Sequence, residues 1–283
     1  MTLFEPAPEP PIELPPARTV LVHDRGEFFL RDSGLFEVSP GPAVMLLHGW
    51  LASADLNWIG AYNDLIEAGY RVLAIDHRGH GRGLRTTAGF RLDDCAEDVA
   101  GVLAKLELAP ALVVGYSMGG AIGQLLARDR PEVVAGLVLS GTAQHWREPE
   151  LRRQWKLMGP LGFGLSLAPG RIMDYGFRRL GLAEADHGGA WLRGELMRHN
   201  PYDIAEAGRE LSRFDSRPWL RPLPMPTAVV VTTRDAAVPP AKQYELAAAL
   251  RAPVFEAPIN HLEIGTERAS YDPVLLEALR AVR

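Results

Sequence analysis

Short apolar runs recur along this chain and alternate with stretches whose apolar residues have helical spacing. Runs 19–22 and 27–30 flank a turn that ends in Gly26 and predict an opening antiparallel hairpin. Later runs are continuously apolar, as in strands buried on both faces of a parallel sheet, and they lie at 43–47, 71–76, 111–114, 135–141, 227–233 and 253–256. Predicted helices between them include 57–68, 92–108 and 240–250. This order predicts an α/β fold with a doubly wound, mostly parallel sheet.

The alternation stops between residues 145 and 222, a segment with four of the six tryptophans and no β-branched strand run. We expect this segment to be an inserted helical cap over the carboxyl edge of the sheet. The alternative is a helical extension in which the tryptophans serve only to pack on the core. The expected division is a disordered amino-terminal arm at 1–17, a core at 18–144 and 223–283, and the cap at 145–222.

Composition excludes several classes of protein. A net charge of -5 gives no basic surface for nucleic acid. No apolar run approaches the length of a membrane span, and the Pro- and Glu-rich start is unlike a signal peptide, so a cytoplasmic location is expected. The single cysteine, Cys95, excludes an internal disulfide and a cysteine-built metal site, and its helical context predicts a buried apolar role.

The stretch Gly115-Tyr116-Ser117-Met118-Gly119-Gly120 lies between a predicted strand and a predicted helix. A serine at the apex of such a sharp turn has a strained backbone, and its neighbours need minimal side chains where strand and helix crowd together. The turn directs the first amides of the helix, beginning with Met118, toward whatever the Ser117 hydroxyl attacks.

This G-x-S-x-G arrangement resembles the nucleophile elbow of the α/β-hydrolase family. The resemblance extends over nearly the whole chain from Thr19, because Asp235 and His261 follow later strands in the order Ser, Asp, His that the family uses. It implies a triad in which His261 is the base for Ser117 and Asp235 orients that base. Taken singly, Asp235 could cap the next helix and His261 could be an ordinary loop histidine.

The family resemblance also implies a site for the oxyanion. Met118 N–H is the first expected donor, and Trp50 N–H, after His48-Gly49, is the second. The rings of Trp50, Trp146 and Trp155 are expected to contact substrate. His48 and the loop Asp76-His77-Arg78-Gly79-His80-Gly81, which resembles the family's D-x-R-G-x-G, are expected to be structural. Gly83 stands where that loop commonly has Ser or Thr, which puts the loop's local shape in doubt.

Serine at the elbow argues against epoxide hydrolases and haloalkane dehalogenases, which need a carboxylate nucleophile. The chain is therefore predicted to be a serine hydrolase that cleaves a carboxylic ester, lactone or thioester of a small, partly apolar molecule through an acyl-enzyme on Ser117. No metal or organic cofactor is expected. Carbon–carbon bond hydrolysis, elimination and cofactor-free perhydrolysis remain alternatives on the same triad, as does a non-catalytic small-molecule receptor. The sequence does not indicate an oligomeric state.

Overall fold

A computed structural model describes residues 9–35, 41–147 and 187–283 of the chain. Its strands form one sheet of eight strands in the order β1-β2-β4-β3-β5-β6-β7-β8. The pairs β1–β2 and β2–β4 are antiparallel and all other neighbours are parallel, which confirms the predicted mostly parallel sheet. The strands are β1 Ala17–Val22, β2 Gly26–Asp32, β3 Ala43–Leu47, β4 Arg71–Ile75, β5 Ala111–Tyr116, β6 Val134–Ser140, β7 Thr227–Thr232 and β8 Val254–Ala257.

Helices cover both faces of the sheet. One apolar cluster joins the sheet to α3, α4 and α7, and a second joins it to α1, α2 and α8. Neighbouring positions of a strand enter opposite clusters, as the period of two in a strand requires: Met45 lies in the first and Leu46 in the second. The helices are α1 Ala54–Trp58, α2 Ala61–Glu67, α3 Leu92–Lys105, α4 Met118–Asp129, α5 His187–Met197, α6 Pro201–Arg213, α7 Pro240–Leu250 and α8 Arg268–Ala281.

The amino-terminal boundary differs from the expectation of a disordered arm at 1–17. Residues 1–8 lie outside the described part, but Leu14 packs against the second apolar cluster. Pro15 O accepts a hydrogen bond from Arg31 and Pro16 O accepts one from the Asp32 amide at 2.9 Å. These carbonyls pair with β2 although prolines themselves lack N–H groups, so the part of the expected arm from Leu14 onward is packed on the core.

The helix predicted at 57–68 is divided in two. It begins earlier, at Ala54, where the Ser53 hydroxyl accepts from Leu56 N–H at 3.2 Å as an N-cap. The regular helix is interrupted at Ile59 and Gly60. A Cβ at Gly60 would lie 3.2 Å from Gly265 O, so the absence of a side chain there lets the loop before α8 pack closely.

Of the segment expected to form a cap, the structure describes 145–147 and 187–222, and residues 148–186 lie outside it. Helices α5 and α6 are attached to core loops by buried polar contacts. Glu195 on α5 pairs with Arg82 and accepts from Ser53 Oγ at 3.2 Å. Gly81 N–H donates to His199 Nδ1 at 2.9 Å. Within the described ranges, no helix is both long and apolar enough to cross a bilayer.

Candidate active site

Ser117 lies at the turn from β5 into α4 with φ of +53°, the strained conformation predicted for an elbow. The positions two residues before and two residues after Ser117 have room only for glycine. A Cβ on Gly115 would overlap Gly119 O, and one on Gly119 would overlap Leu47 O. The Thr142 hydroxyl donates to Ser117 O at 2.8 Å and further holds the turn.

The structure brings Ser117, His261 and Asp235 into one hydrogen-bonded line. Ser117 Oγ lies 2.9 Å from His261 Nε2, and His261 Nδ1 lies 2.7 Å from Asp235 Oδ2. Asp235 follows β7 and His261 follows β8, so both reach Ser117 from the carboxyl edge of the sheet. Because a carboxylate only accepts hydrogen bonds, Nδ1 carries the proton and Nε2 is left to accept from the serine hydroxyl.

Asp235 also caps the loop that follows it. Its Oδ1 accepts from the amides of Ala237 at 2.9 Å and Val238 at 2.7 Å. Its Oδ2 accepts from Thr232 Oγ1 at 2.7 Å. The next helix begins at Pro240 without a side-chain cap, so Asp235 does not cap it as the alternative suggested. Its carboxylate holds the loop with Oδ1 and contacts His261 with Oδ2.

The loop carrying His261 is fixed by contacts that the sequence analysis missed. Tyr116 OH donates to His261 O at 2.7 Å, and the two rings have centroids 5.1 Å apart. Burial raises the pKa of Tyr116 well above its ordinary value, so its hydroxyl stays protonated and able to donate. The only signal in the sequence was a hydroxyl-bearing aromatic residue directly before the elbow serine.

On the side expected to hold the oxyanion, the main chain after β3 approaches the serine closely. A Cβ on Gly49 would lie 3.3 Å from Ser117 Cβ, so the peptide leading to Trp50 borders the nucleophile. Gly49 N–H donates to Asn57 Oδ1 at 2.9 Å, a support that the sequence did not reveal. Met118 is the first residue of α4, as expected for the other donor.

His48 has the structural role that was expected. His77 N–H donates to its Nε2 at 3.0 Å, so the His48 proton is on Nδ1, which donates to Gly49 O at 2.8 Å. Complete burial lowers the pKa of His48 to about 3, which keeps the ring neutral. Although His77, His80 and His199 lie nearby, no metal-binding group of three ligands occurs among the residues described.

The loop that resembles D-x-R-G-x-G is held in place by hydrogen bonds from main-chain amides to Asp76. Asp76 accepts from the amides of Ala54 and Arg82, both at 2.7 Å. The unusual Gly83 has a steric reason, because a Cβ there would overlap His77 O and lie 2.6 Å from Asp76 O. The loop as folded here therefore has no room for a Ser or Thr side chain at this position.

The tryptophans expected to contact substrate have different surroundings. Trp50 is half-buried, and its indole N–H donates to Ile204 O on α6 at 2.8 Å. Trp146 is buried in the first apolar cluster, where its ring packs against Phe214 with centroids 5.7 Å apart. The contacts of Trp146 are those of a packing residue, as in the alternative in which the cap tryptophans serve only to pack on the core. Trp155 lies outside the described residues.

Comparison with known proteins agrees with this geometry. A family model of the alpha/beta hydrolase fold matches residues 42–159. The chain is 32% identical over 248 residues to a non-heme haloperoxidase of Rhodococcus erythropolis, covering 82% of this chain and 86% of that protein. It is 35% identical over 121 residues to a bifunctional esterase/perhydrolase of Acinetobacter calcoaceticus, covering 42% of each.

A solved structure of a hydrolase from Pseudomonas aeruginosa PA01 superposes with a TM-score of 0.76 at 25% identity, covering 93% of this chain and 98% of that one. The same family is indicated by the long match to the Rhodococcus protein, by the family model and by the strand order. The chain belongs to the α/β-hydrolase family.

Proposed function

We propose that this protein is a serine hydrolase that cleaves a carboxylic ester, lactone or thioester of a small, partly apolar molecule. The proposal rests on two hydrogen bonds that connect the three residues. Ser117 Oγ lies 2.9 Å from His261 Nε2, and His261 Nδ1 lies 2.7 Å from Asp235 Oδ2. A serine hydroxyl is a poor nucleophile at neutral pH unless a positioned base removes its proton. These three residues supply that base and the acid that orients it.

In the proposed reaction, Ser117 Oγ attacks the carbonyl carbon while His261 Nε2 takes the hydroxyl proton. The resulting oxyanion accepts hydrogen bonds from Met118 N–H at the start of α4 and from Trp50 N–H. One such donor typically lowers the barrier by about 3 kcal/mol. His261 gives its proton to the leaving group, an acyl-enzyme remains on Ser117, and water activated by His261 releases the acid.

The segment 187–222 supports the expectation of a cap near this site. Helix α6 begins at Pro201, and its Ile204 O holds the indole of Trp50, a residue beside the nucleophile. We therefore assign Trp50 as one wall of the acyl pocket and α5 and α6 as the described part of the cap. An apolar wall of this kind favours substrates with an apolar acyl group.

The test is pre-steady-state hydrolysis of p-nitrophenyl esters of graded acyl length by the protein and by Ser117→Ala. We expect a burst of p-nitrophenol followed by slower turnover in the protein, and neither in Ser117→Ala. The acyl length giving the highest kcat/KM measures the pocket. Turnover retained in Ser117→Ala would reject the mechanism, and no turnover of any ester would favour a carbon–carbon hydrolase, a lyase or a receptor.

A second activity, perhydrolysis, is favoured by the names of the relatives, a haloperoxidase and an esterase/perhydrolase. In that reaction hydrogen peroxide replaces water: its oxygen attacks the acyl-enzyme, His261 takes the proton and returns it to Ser117 Oγ, and a peracid leaves. Bromide oxidation measured with ester and peroxide together, and absent with either alone, is the expected result. Bromide oxidation that persists in Ser117→Ala would reject this route.

A further inference from the structure

Two buried polar side chains contact Asp235, the residue at the far end of the hydrogen-bonded series that begins at Ser117. Thr232 is the last residue of β7, and Gln243 lies in α7. Both are fully buried, and the acyl-transfer steps above use neither. A buried hydroxyl and amide must be hydrogen-bonded, so their partners show what they hold.

The hydrogen-bond directions follow from the chemistry of each group. Gln243 Oε1 accepts from Thr232 N–H at 2.9 Å, which fixes which end of the amide is Nε2. Nε2 donates to Val238 O at 2.7 Å and to Thr232 Oγ1 at 2.8 Å. Thr232 Oγ1 therefore already accepts a proton, and its own hydrogen is left to donate.

That hydrogen points to the carboxylate of Asp235. The distance from Thr232 Oγ1 to Asp235 Oδ2 is 2.7 Å, against 3.2 Å to Gln243 Oε1. An ionised carboxylate is also the stronger acceptor. Gln243 Nε2 itself lies 3.4 Å from the same Oδ2. Both hydrogens of that Nε2 are already donated to Val238 O and Thr232 Oγ1, so Gln243 acts through Thr232 on the oxygen that contacts His261.

Two separate sets of donors now fix the plane of this carboxylate. The amides of Ala237 and Val238 hold Oδ1, and one fixed oxygen alone leaves the group free to turn about it. Thr232 holds the second oxygen, the same one that contacts His261. A carboxylate held at both oxygens presents the imidazole with one fixed acceptor.

We propose that Thr232 and Gln243 are positioning residues for the triad. They set the orientation of Asp235 Oδ2, and through it the ring of His261. The inference rests on the proposed function, in which Asp235 orients the base for Ser117. The competing explanation is that the pair only satisfies buried polar groups and contributes to stability.

The test compares Thr232→Val, which keeps the shape and removes the hydroxyl, with Thr232→Ser, which keeps the hydroxyl. Thr233→Val is the matched control, because its hydroxyl faces Ala257 O at 3.5 Å and not the triad. We expect Thr232→Val to lower kcat about 10-fold with KM unchanged, as for loss of an interaction made in the transition state. Thr232→Ser should recover most of kcat, and Thr233→Val should retain it.

A double-mutant cycle with Gln243→Leu tests whether the two residues act as one unit. Because Gln243 acts through the Thr232 hydroxyl, the double variant should lose little more kcat than Thr232→Val alone. Additive losses would show separate roles and overturn the paired assignment. Urea unfolding of every variant separates loss of folding from loss of rate.

Proton NMR of the same variants provides a readout that needs no turnover. The proton between His261 Nδ1 and Asp235 Oδ2, in a short charge-assisted bond, should give a far-downfield signal in the protein and in Thr232→Ser. The signal should move or vanish in Thr232→Val. Unchanged kcat and an unchanged signal in Thr232→Val, or equal damage by serine and valine, would overturn the inference. An absent ester burst together with a signal that responds as expected would instead reject the proposed function alone.

Discussion

A buried carboxyl group outside the triad gives a sharp prediction about stability. Asp272 lies in α8 with 1% of its surface exposed, and its Oδ1 has no hydrogen-bond partner among the described residues. Arg268 Nε is 3.5 Å from its Oδ2 but pairs more closely with Asp64, at 2.9 Å. Burial, with Asp64 adding to it, raises the pKa of Asp272 from 3.8 to about 7.

The raised pKa makes the folded state hold a proton that the unfolded chain releases. Folding stability from this group is therefore fully present below pH 3.8 and is lost as the pH rises toward about 7. At 1.36 kcal/mol for each pKa unit, the loss is about 4 kcal/mol at most. We expect about 1 to 2 kcal/mol, because relaxation and water penetration reduce the burial penalty.

The perturbation is Asp272→Asn, which keeps the shape and cannot ionise. Urea unfolding at pH 5 and pH 8 should show the variant gaining stability relative to the protein as the pH rises. The control is Glu277→Gln, an exposed residue of the same helix, which should follow the protein at both pH values. If the stability of Asp272→Asn declined with pH as steeply as that of the unmodified protein, Asp272 would not be the group whose ionisation destabilises the fold.

Three further predictions concern the site and its supports. Glu195→Gln removes a buried charge that pairs with Arg82 and should lower the free energy of unfolding by about 2 kcal/mol in urea titrations; a loss near zero would contradict this. Tyr116→Phe removes the hydrogen bond to His261 O and should lower kcat about 5-fold, since one such bond is worth about 1 kcal/mol. Asp235→Asn should lower kcat by about 10⁴ by favouring the wrong tautomer of His261, and an unaffected kcat would show that the orienting acid lies elsewhere.

The Tyr116 prediction has a matched control in the same protein. Tyr244 is partly exposed, and its hydroxyl donates to Glu256, away from the triad. Tyr244→Phe should therefore leave kcat unchanged. Equal kcat in Tyr116→Phe and Tyr244→Phe would show that the hydroxyl of Tyr116 has no part in fixing the His261 loop.

The sheet and the residues Ser117, Asp235 and His261 were predictable because local sequence patterns specify them. Buried parallel strands are continuous apolar runs, and the elbow needs glycines at fixed offsets from Ser117 because its neighbours approach within overlap distance. Asp235 and His261 each follow a strand, so the topology alone brings their loops to one edge.

The missed features depend on contacts between distant parts of the chain. Thr232 and Gln243 form no motif, and only the packing of α7 on β7 brings the amide to the hydroxyl. The close approach of Gly265 to Gly60 joins positions more than 200 residues apart in the sequence. Nor does a propensity argument anticipate that Leu14 packs on the core, since the surrounding prolines are typical of a free arm.

An acyl-enzyme on Ser117 can be detected directly by mass spectrometry of the protein quenched in acid during p-nitrophenyl acetate turnover. We expect one acetyl group for each chain, located by peptide mapping on the peptide that contains Ser117 and absent from Ser117→Ala. An acetyl group on another residue, or steady turnover with no acyl group on Ser117, would contradict this expectation.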